Sequence, residues 1–182
     1  MVATLWASGG RVFRNLFVDW SVNDRNLRAR VLLLGYRTTR TLRLSAHPPV
    51  RIAGRMVDLL YRFLSMWVLG VEIPWLTDIG PRLRLHHPHG IVLNAASRIG
   101  ADVVMRHGVT VGGRRGSFDC PVIGDRVDIG AGASIIGDIS IEDDARIGIG
   151  AVVLRDVPPG VAAYGNPAIL ADPRPSAVDA GG

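Results

Sequence analysis

The sequence has 182 residues and is 48% hydrophobic, which is enough to bury a core and excludes disorder over the whole chain. Its one cysteine, Cys120, excludes an internal disulfide, and no apolar run reaches the roughly 18 residues that a transmembrane helix needs. Arg11, Arg14 and Asp19 interrupt the stretch that would have to be the apolar core of a signal peptide, so we expect a cytoplasmic protein.

The basic residues are all arginines, and they concentrate near the N-terminus. Eleven of the 21 arginines, but only three of the 16 acidic residues, lie in residues 1–62. Charge confined to one segment does not indicate a nucleic-acid-binding face, and we expect no nucleic-acid partner. Two interpretations remain: arginines solvated on helices, or a weak attraction to an anionic membrane surface or an acidic partner.

Residues 1–70 are predicted to form a small helical segment, in which the first twenty residues are the least defined. The stretch from Asn26 to Leu44 predicts a helix with arginines on its polar side, and the residues HPP at 47–49 separate it from the next helix. Between Val50 and Leu69, apolar residues recur in steps of three and four, which places them on one helical face. They are Ile52, Met56, Leu59, Leu60, Phe63, Leu64 and Trp67. Gly70 is expected to end this helix.

After Pro74 the apolar period changes to six. The repeating aliphatic positions are Ile79, Leu85, Ile91, Ile99, Met105, Val111, Ile123, Ile129, Ile135, Ile141, Ile147 and Val153. This period suits neither an amphipathic helix nor a series of hairpins, but it suits a solenoid in which each hexad is a short strand and a turn. Glycines at 80, 100, 112, 124, 130 and 148 follow these positions directly and are predicted to form tight corners.

Grouping the hexads by three predicts about four coils over residues 71–170. Two extra residues would lie between the first and second coils, about six would form a loop between the second and third, and none would separate the last two. Four coils give a prism on the order of 19 Å tall, whose sides would expose aliphatic surface unless subunits pack together. We therefore expect an oligomer, with residues 171–182 as a disordered tail.

Four stretches of the repeat region carry a resemblance: LHHPHGIVLN, VTVGG, CPVIGDRVDIGAGASIIGDI and VVLRDVPPGVAAYGNPA. They resemble the hexapeptide-repeat acyltransferases, and within that superfamily the serine acetyltransferases and the related O-acetyltransferases of polysaccharide pathways. The resemblance covers about residues 70–170. It implies a mainly β fold, a left-handed parallel β-helix behind the helical segment, a homotrimer, acetyl-CoA as co-substrate, a small-molecule hydroxyl acceptor and no metal.

The resemblance also implies catalytic residues. A hydroxyl that attacks a thioester must lose its proton, and a neutral imidazole is a suitable base at neutral pH. Matching the family's motif to HPHG puts that role on His87, with Glu72, fifteen residues upstream, as the carboxylate that orients it. Fifteen residues is less than one coil of eighteen, so Glu72 could lie beside His87 where the chain wraps back.

Three residues are predicted to line the acceptor pocket: His86, His89 and Cys120. His89 is placed in an inward slot for a small residue. Serine-specific family members have an aspartate where this chain has His86, and a histidine where it has Cys120. Both changes favour a sugar acceptor, whereas overall motif similarity favours the serine enzymes and places a serine-like amino acid slightly ahead. Cys120 could instead be a covalent nucleophile, although packing in the pocket is the preferred interpretation.

For acetyl-CoA, the resemblance points to the groove between adjacent prisms. Gly112 and Gly113 would let the backbone approach the ligand, and Ala131 and Ala133 would leave room for the pantetheine arm. Arg146 and Arg155 are candidate partners of the phosphates, although exposed charge on a solenoid explains them equally well.

Two other classes of function remain. The same fold also supports zinc enzymes that hydrate carbon dioxide, but the spacing of His86, His87 and His107 does not fit their ligand pattern. A non-catalytic scaffold would keep the prism for assembly alone, and it differs from an enzyme in that the substitution of His87 would change no turnover.

Overall fold

The structure is a computed structural model that describes residues 15–114 and 119–171. The tail predicted over residues 171–182 lies outside the described residues except for Ala171, which ends the last strand. The first fourteen residues and the centre of the predicted long loop, residues 115–118, also lie outside them.

Two helices precede the repeat region. Helix α1 spans Leu27–Arg43 and helix α2 spans Pro48–Arg62. A π-helical turn, Phe63–Val68, continues α2. Both predicted helices are confirmed, and Gly70 follows the second with a φ of +65°, as expected of a glycine that ends a helix.

The helical hairpin is tightly packed and is fastened to the first coil by two tyrosines. A Cβ atom added to Gly35 would lie 2.8 Å from Cδ2 of Tyr61, so glycine lets the helices approach each other. The Tyr36 hydroxyl donates to the Thr77 carbonyl at 2.6 Å, and the Tyr61 hydroxyl donates to the Ile73 carbonyl at 2.9 Å. Burial raises the pKa of both phenols, which therefore stay protonated and able to donate.

Short strands joined by turns follow the two helices. In order they are β1 Asp78–Ile79, β2 Arg84–His86, β3 Val92–Leu93, β4 Arg98–Ile99, β5 Val104–Arg106, β6 Thr110–Gly112, β7 Val122–Ile123, β8 Asp128–Ile129, β9 Ser134–Ile136, β10 Ser140–Ile141, β11 Arg146–Ile147, β12 Val152–Val153, β13 Ala162–Tyr164 and β14 Ile169–Ala171.

The strands form three faces of a prism, each named here after its first strand. The β1 face contains β1, β4, β7 and β10, and the β3 face contains β3, β6, β9 and β12. The β2 face contains β2, β5, β8, β11 and β13, all parallel, and ends in the antiparallel strand β14. Because each parallel strand pairs with its equivalent one turn later, the chain winds as a β-solenoid of about four turns. The predicted fold class is therefore confirmed.

Aliphatic side chains stack inside the prism at equivalent positions of successive coils. Ile79 pairs with Ile99, Ile99 with Ile123, and Ile123 with Ile141, and all four side chains are buried. Similar columns of Leu, Met, Val and Ala fill the other two faces. The alternation of exposed and buried residues along each strand follows from the two-residue period of β structure.

The two extra residues of the first coil lie at a corner, not between coils. His86 pairs with Arg106 of the next coil, and Val92 pairs with Thr110. Five residues separate the first members of these pairs but only three separate the second members, so the insertion falls within the histidine segment. The sequence-based placement between the first and second coils was wrong because Ile91 is buried and six residues from an inward leucine, which imitates the repeat.

The glycines that were predicted to form corners do follow strands at the corners, but none of the six has a positive φ, and at five of them, all but Gly112, the backbone or a side chain of the next coil comes close. At Gly100 an added Cβ would lie 2.4 Å from the Gly124 carbonyl oxygen, because the backbones of successive coils approach closely there. Positive φ angles occur instead at glycines of the corner between the β2 and β3 faces, namely Gly90, Gly108, Gly132 and Gly150. Glycine at position 100 therefore permits stacking, and the glycines with positive φ permit the turn.

Replacing Gly100 by alanine is expected to lower the free energy of unfolding by about 2–3 kcal/mol, because a backbone cannot yield to a methyl group as a side chain can. Gly112→Ala is the matched control, since no atom lies within 4 Å of a Cβ added there. Thermal unfolding should show a midpoint roughly 5–10 °C lower for the first variant and unchanged for the second. Equal midpoints would contradict close stacking at Gly100.

Candidate active site

The segment before α1 covers the free edge of β2. This strand is the outermost of the β2 face, so one side of its backbone has no neighbouring strand. Leu83 N–H donates to Asp19 Oδ1 at 2.9 Å, and Leu85 N–H donates to Asn23 Oδ1 at 3.0 Å. In return, Asn23 Nδ2 donates to the Leu83 carbonyl at 2.9 Å and Asn26 Nδ2 donates to the Leu85 carbonyl at 3.0 Å. Three side chains thus replace a missing strand.

The first of these side chains also forms a buried ion pair. Arg37 Nε lies 2.8 Å from Asp19 Oδ2, and the two side chains are 11% and 4% exposed. The same guanidinium donates to the carbonyls of Ile79 at 2.7 Å and Gly80 at 2.6 Å. Charge and hydrogen bonds are therefore satisfied together, which is the condition for a buried pair to hold a structure in place.

Sequence patterns did not single out Asp19, Asn23 or Asn26. They are spaced by four and three residues, which puts them on one side of a helical path that includes the 3-10 turn Ser21–Asn23. The available signal was a polar stripe beside apolar residues at the start of the predicted helical segment.

An open pocket of about 880 Å³ lies between this segment and the corner that follows β2. One wall consists of residues 21–26 and Arg28, and the other of residues 84–89. The structure thus brings the predicted residues His86, His87 and His89 together around one cavity, whose second wall the sequence did not predict.

His87 stands out within this corner by its backbone. Its φ of +52° lies in the left-handed region, which a residue other than glycine seldom adopts. Gly90 stacks on Gly108 of the next coil, with an added Cβ 3.6 Å from the Gly108 Cα, so the extra residues lie before it. Arg82, Asp102, Arg126 and Asp144 share this conformation at the corner between the β1 and β2 faces, so the φ angle alone does not mark a functional residue. The insertion nevertheless holds His87 beside the pocket.

The pocket is basic, and its first histidine is neutral. Burial lowers the pKa of His86, and the positive charges of Arg106 and Arg84 lower it further. Besides Arg84, the lining includes Arg25 and Arg28, whereas its only carboxylate among the described residues is that of Asp24. At pH 7 the cavity therefore offers three cations and the neutral His86 imidazole to a ligand.

Glu72 lies beneath the histidine corner in the preceding turn of the chain. It forms a parallel bridge with Val92, donating its N–H to the Ile91 carbonyl at 2.8 Å and accepting from Leu93 N–H at 2.9 Å. Ile91 ends the corner that contains His87, so the backbone wraps back as anticipated. Both residues lie in the described part of the chain, and the Glu72 carboxylate forms no hydrogen bond or ion pair with the His87 side chain. Their pairing therefore stays a prediction.

The prediction that His89 occupies an inward slot is wrong. Its side chain is exposed, and the neighbouring Pro88 is buried instead. The imidazole lies against Gly70, where an added Cβ would be 3.0 Å from both Cε1 and Nδ1 of His89. The two inserted residues change which side chains point inward, and a regular six-residue period cannot reveal that change.

Cys120 lies at a different corner, between the β3 and β1 faces. It is 5% exposed and does not line the pocket beside His87. Burial raises the pKa of its thiol; a hydrogen bond with Ser97 opposes this effect and the charge of Asp119 adds to it. A protonated thiol is a poor nucleophile, which argues against the covalent route.

The candidates for acetyl-CoA binding differ in whether a ligand can reach them. Gly112 ends β6, Gly113 follows it, and the space beside Gly112 is open to 4 Å. Ala131 is half-buried at the corner between the β2 and β3 faces. Ala133 is fully buried among the inward residues, so its predicted place in a ligand groove is wrong.

The two candidate arginines have different surroundings. Arg146 lines an open groove of about 340 Å³ on the β2 face, together with the ion pair of Arg106 and Asp128. Arg155 donates to the Ala168 carbonyl at 2.9 Å, which ties it to the last coil. Arg146 thus has its charge free to bind a ligand, whereas one donor of Arg155 is occupied. Across residues 15–114 and 119–171, no three His, Cys, Asp or Glu side chains are grouped to hold a metal ion.

The comparison that decides the family is with the putative colanic acid biosynthesis acetyltransferase WcaB of Escherichia coli. The two are 33% identical over 153 residues, which cover 82% of this chain and 94% of that protein. The chain belongs to the hexapeptide-repeat acyltransferases. No protein-family model matches it.

Serine acetyltransferases also match the chain, but they are longer proteins, of which it covers a smaller share than it does of WcaB. The serine acetyltransferase of Mycobacterium tuberculosis is 42% identical over 110 residues, which are 59% of this chain and 48% of that protein. The chain thus spans about half the length of this relative. In structure it is similar to soybean serine acetyltransferase complexed with serine, with a TM-score of 0.73, 30% identity, and coverage of 92% of this chain and 72% of that one.

Proposed function

We propose that this chain is an acetyl-CoA-dependent O-acetyltransferase in which His87 is the general base and Glu72 orients it. The observation that carries the proposal is the position of His87, held by a two-residue insertion beside an open pocket in a member of this superfamily. The insertion at that one corner holds an imidazole beside a cavity.

The chemistry requires one proton to move twice. The His87 imidazole takes the proton of the acceptor hydroxyl while the oxygen attacks the thioester carbonyl of acetyl-CoA. The tetrahedral intermediate then collapses, the carbon–sulfur bond breaks, and the imidazolium returns the proton to the leaving thiolate of CoA. The Glu72 carboxylate would fix the tautomer and stabilise the imidazolium. The acetyl ester and CoA are the products.

We infer that acetyl-CoA lies along the β3 face, where Gly112 and Gly113 leave the backbone open and Ala131 leaves room for the pantetheine arm. Of the two phosphate candidates, Arg155 follows β12 of this face and uses one donor on the Ala168 carbonyl, whereas Arg146 lies on the neighbouring β2 face; both stay candidates.

A homotrimer would complete the site. His87 lies at the corner between the β2 and β3 faces and Cys120 at the corner between the β3 and β1 faces, so packing prisms side by side would bring one copy's His87 towards another copy's Cys120. Aliphatic side chains left on the outside of the prism support such packing: Val92 is 40% exposed, Val122 47% and Leu154 40%.

The acceptor that the pocket supports best is a sugar hydroxyl. A cavity of about 880 Å³ is large for a single small amino acid and is within the range that drug-sized ligands occupy. Three arginines and one aspartate around it provide little for a substrate ammonium group. WcaB, which is matched over 94% of its length, is named for colanic acid biosynthesis.

Serine is the second candidate acceptor, and a specific observation favours it. The serine acetyltransferase of Mycobacterium tuberculosis is more identical to the chain than WcaB is, and a similar structure was solved with serine bound. The prediction that ranked a serine-like acceptor slightly first rested on this similarity of motifs, whereas the lining of the pocket reverses the order.

The deciding experiment is thiol release from acetyl-CoA by the purified full chain. L-serine, L-homoserine, monosaccharides, nucleotide sugars and oligosaccharides would be offered as acceptors, with mass spectrometry of each product. We expect turnover with a carbohydrate and none with the amino acids. Turnover with serine would restore the amino-acid interpretation, and binding of acetyl-CoA without turnover of any acceptor would favour the non-catalytic scaffold.

A further inference from the structure

The outer side of α2 and its π-helical turn is a continuous apolar surface, called here the α2 outer face. Its members are all large hydrophobic residues with at least 42% of their surface exposed: Ile52, Met56, Leu59, Leu60, Phe63, Leu64, Met66, Trp67 and Val68. Trp67, at 81%, is almost fully exposed. Isolated exposed hydrophobic residues are common in proteins, but a contiguous set on one helix indicates an interaction surface.

The apolar side of this helix faces away from the body of the protein, which is the reverse of the usual arrangement. The side of α2 and its π-helical turn that packs against the body contributes Gly54, Tyr61 and Ser65 as buried residues. Its apolar stripe, which sequence periodicity predicts correctly, points away from the core. The usual reason for such a stripe, burial against the same chain, therefore does not apply.

Arginines border the α2 outer face. Arg51, Arg55 and Arg62 are exposed and, at spacings of four and seven residues, follow one edge of the helix. In the described part of the chain none of them forms an ion pair or a side-chain hydrogen bond, unlike Arg37 and Arg40 on the neighbouring helix. These three charges are free for a partner outside the chain.

We propose that the α2 outer face docks onto the surface of an anionic lipid bilayer, with the helix lying in the plane of the interface. A large apolar stripe edged by arginines and containing tryptophan and phenylalanine is the composition of helices that bind in this way. No helix of the described chain has the length and apolar character needed to cross a bilayer, so α2 would lie on the membrane.

Charge decides between lipid and a second copy of the chain. A second copy would bring the same unpaired arginines, in a segment where arginines outnumber acidic residues eleven to three over residues 1–62. Like charges would meet around the contact. Anionic headgroups are complementary to these arginines, and each arginine near such a surface strengthens binding roughly fivefold.

The docked helix would lead directly to the pocket. The Gly70 carbonyl, just past the π-helical turn, accepts from Gly90 N–H at 2.7 Å, and the His89 side chain lies over Gly70. Docking would therefore place the pocket near the headgroups, where it could reach a sugar carried on a lipid. That consequence rests on the proposed function, whereas docking itself does not.

Vesicle flotation with the full chain tests docking. Vesicles of phosphatidylglycerol and phosphatidylcholine should bind the protein, and vesicles of phosphatidylcholine alone should bind it much less. Phe63→Ser with Trp67→Ser should lower the partition coefficient at least about tenfold, through lost apolar burial. Replacing Arg51, Arg55 and Arg62 by glutamine should lower it about a hundredfold on anionic vesicles and weaken its dependence on salt.

The matched control is Ile149→Ser, which removes an equally exposed residue, also at 81%, from the β-solenoid. It should bind vesicles as the unchanged protein does. Docking is overturned if the unchanged protein fails to float with anionic vesicles, or if the control loses as much binding as the Phe63 and Trp67 variant. A change of oligomer mass in that variant, in ultracentrifugation without lipid, would assign the α2 outer face to a second copy instead. Vesicle binding requires no turnover, so its failure is distinct from failure of the proposed function.

Discussion

His87→Ala is expected to lower kcat/KM for acetyl transfer by about 10²–10⁴-fold, the usual contribution of a positioned general base. The loss should appear in kcat more than in KM, because the imidazole acts on the proton in the transition state rather than in ground-state binding. The measurement is thiol release from acetyl-CoA with whichever acceptor the unchanged protein uses.

His107→Ala is the control, since His107 is an exposed histidine of the same corner, one coil further along. It should retain nearly full activity. Glu72→Gln should give an intermediate loss in kcat, because an amide orients the imidazole less well than a carboxylate and stabilises the imidazolium of the transition state less. Near-normal turnover in the His87 variant would show that the base is another group.

Asp19→Ala is expected to lower the free energy of unfolding by about 3–5 kcal/mol, because it leaves the buried Arg37 guanidinium without its partner. It also removes the acceptor of Leu83 N–H at the edge of β2. Urea unfolding followed by circular dichroism would measure the change, and the pocket wall formed by residues 21–26 should loosen with it.

The pair of Arg40 and Asp78 is the internal reference for this measurement. Its atoms are 2.6 Å apart, closer than those of the buried pair, but the Asp78 side chain is 64% exposed. Asp78→Ala should therefore cost about 1 kcal/mol or less. If both variants lost the same stability, burial of Asp19 would not be what makes its ion pair important.

The regular parts of the molecule were predictable because their periods are regular. Steps of three and four marked α2, and a step of six marked the coils, since each period reflects which side chains leave water. The sequence-based position of the insertion was wrong because Ile91 is buried both in the observed register and in the register that a strict six-residue period predicts. A period can count inward residues, but it cannot tell which coil position each one occupies.

The candidate site was only partly predictable for a related reason. His86, His87 and His89 are neighbours in sequence, so any fold keeps them close. Asp19 and Asn23 act on β2 across some sixty residues, through contacts that no local spacing encodes. Ala133 was misassigned because a small residue in a solenoid can line a groove or fill the core, and only the register separates the two.

Both ends of the β2 face are closed, and by different means. At one end the side chains of Asp19, Asn23 and Asn26 occupy the hydrogen-bonding groups of β2, and at the other β14 runs against the direction of the coils. Neither end presents a parallel strand edge that another molecule could extend. The prism therefore has a fixed height, and growth of copies end to end into a fibre is blocked on this face. Removing the three polar side chains would uncover a template for fibrous aggregation.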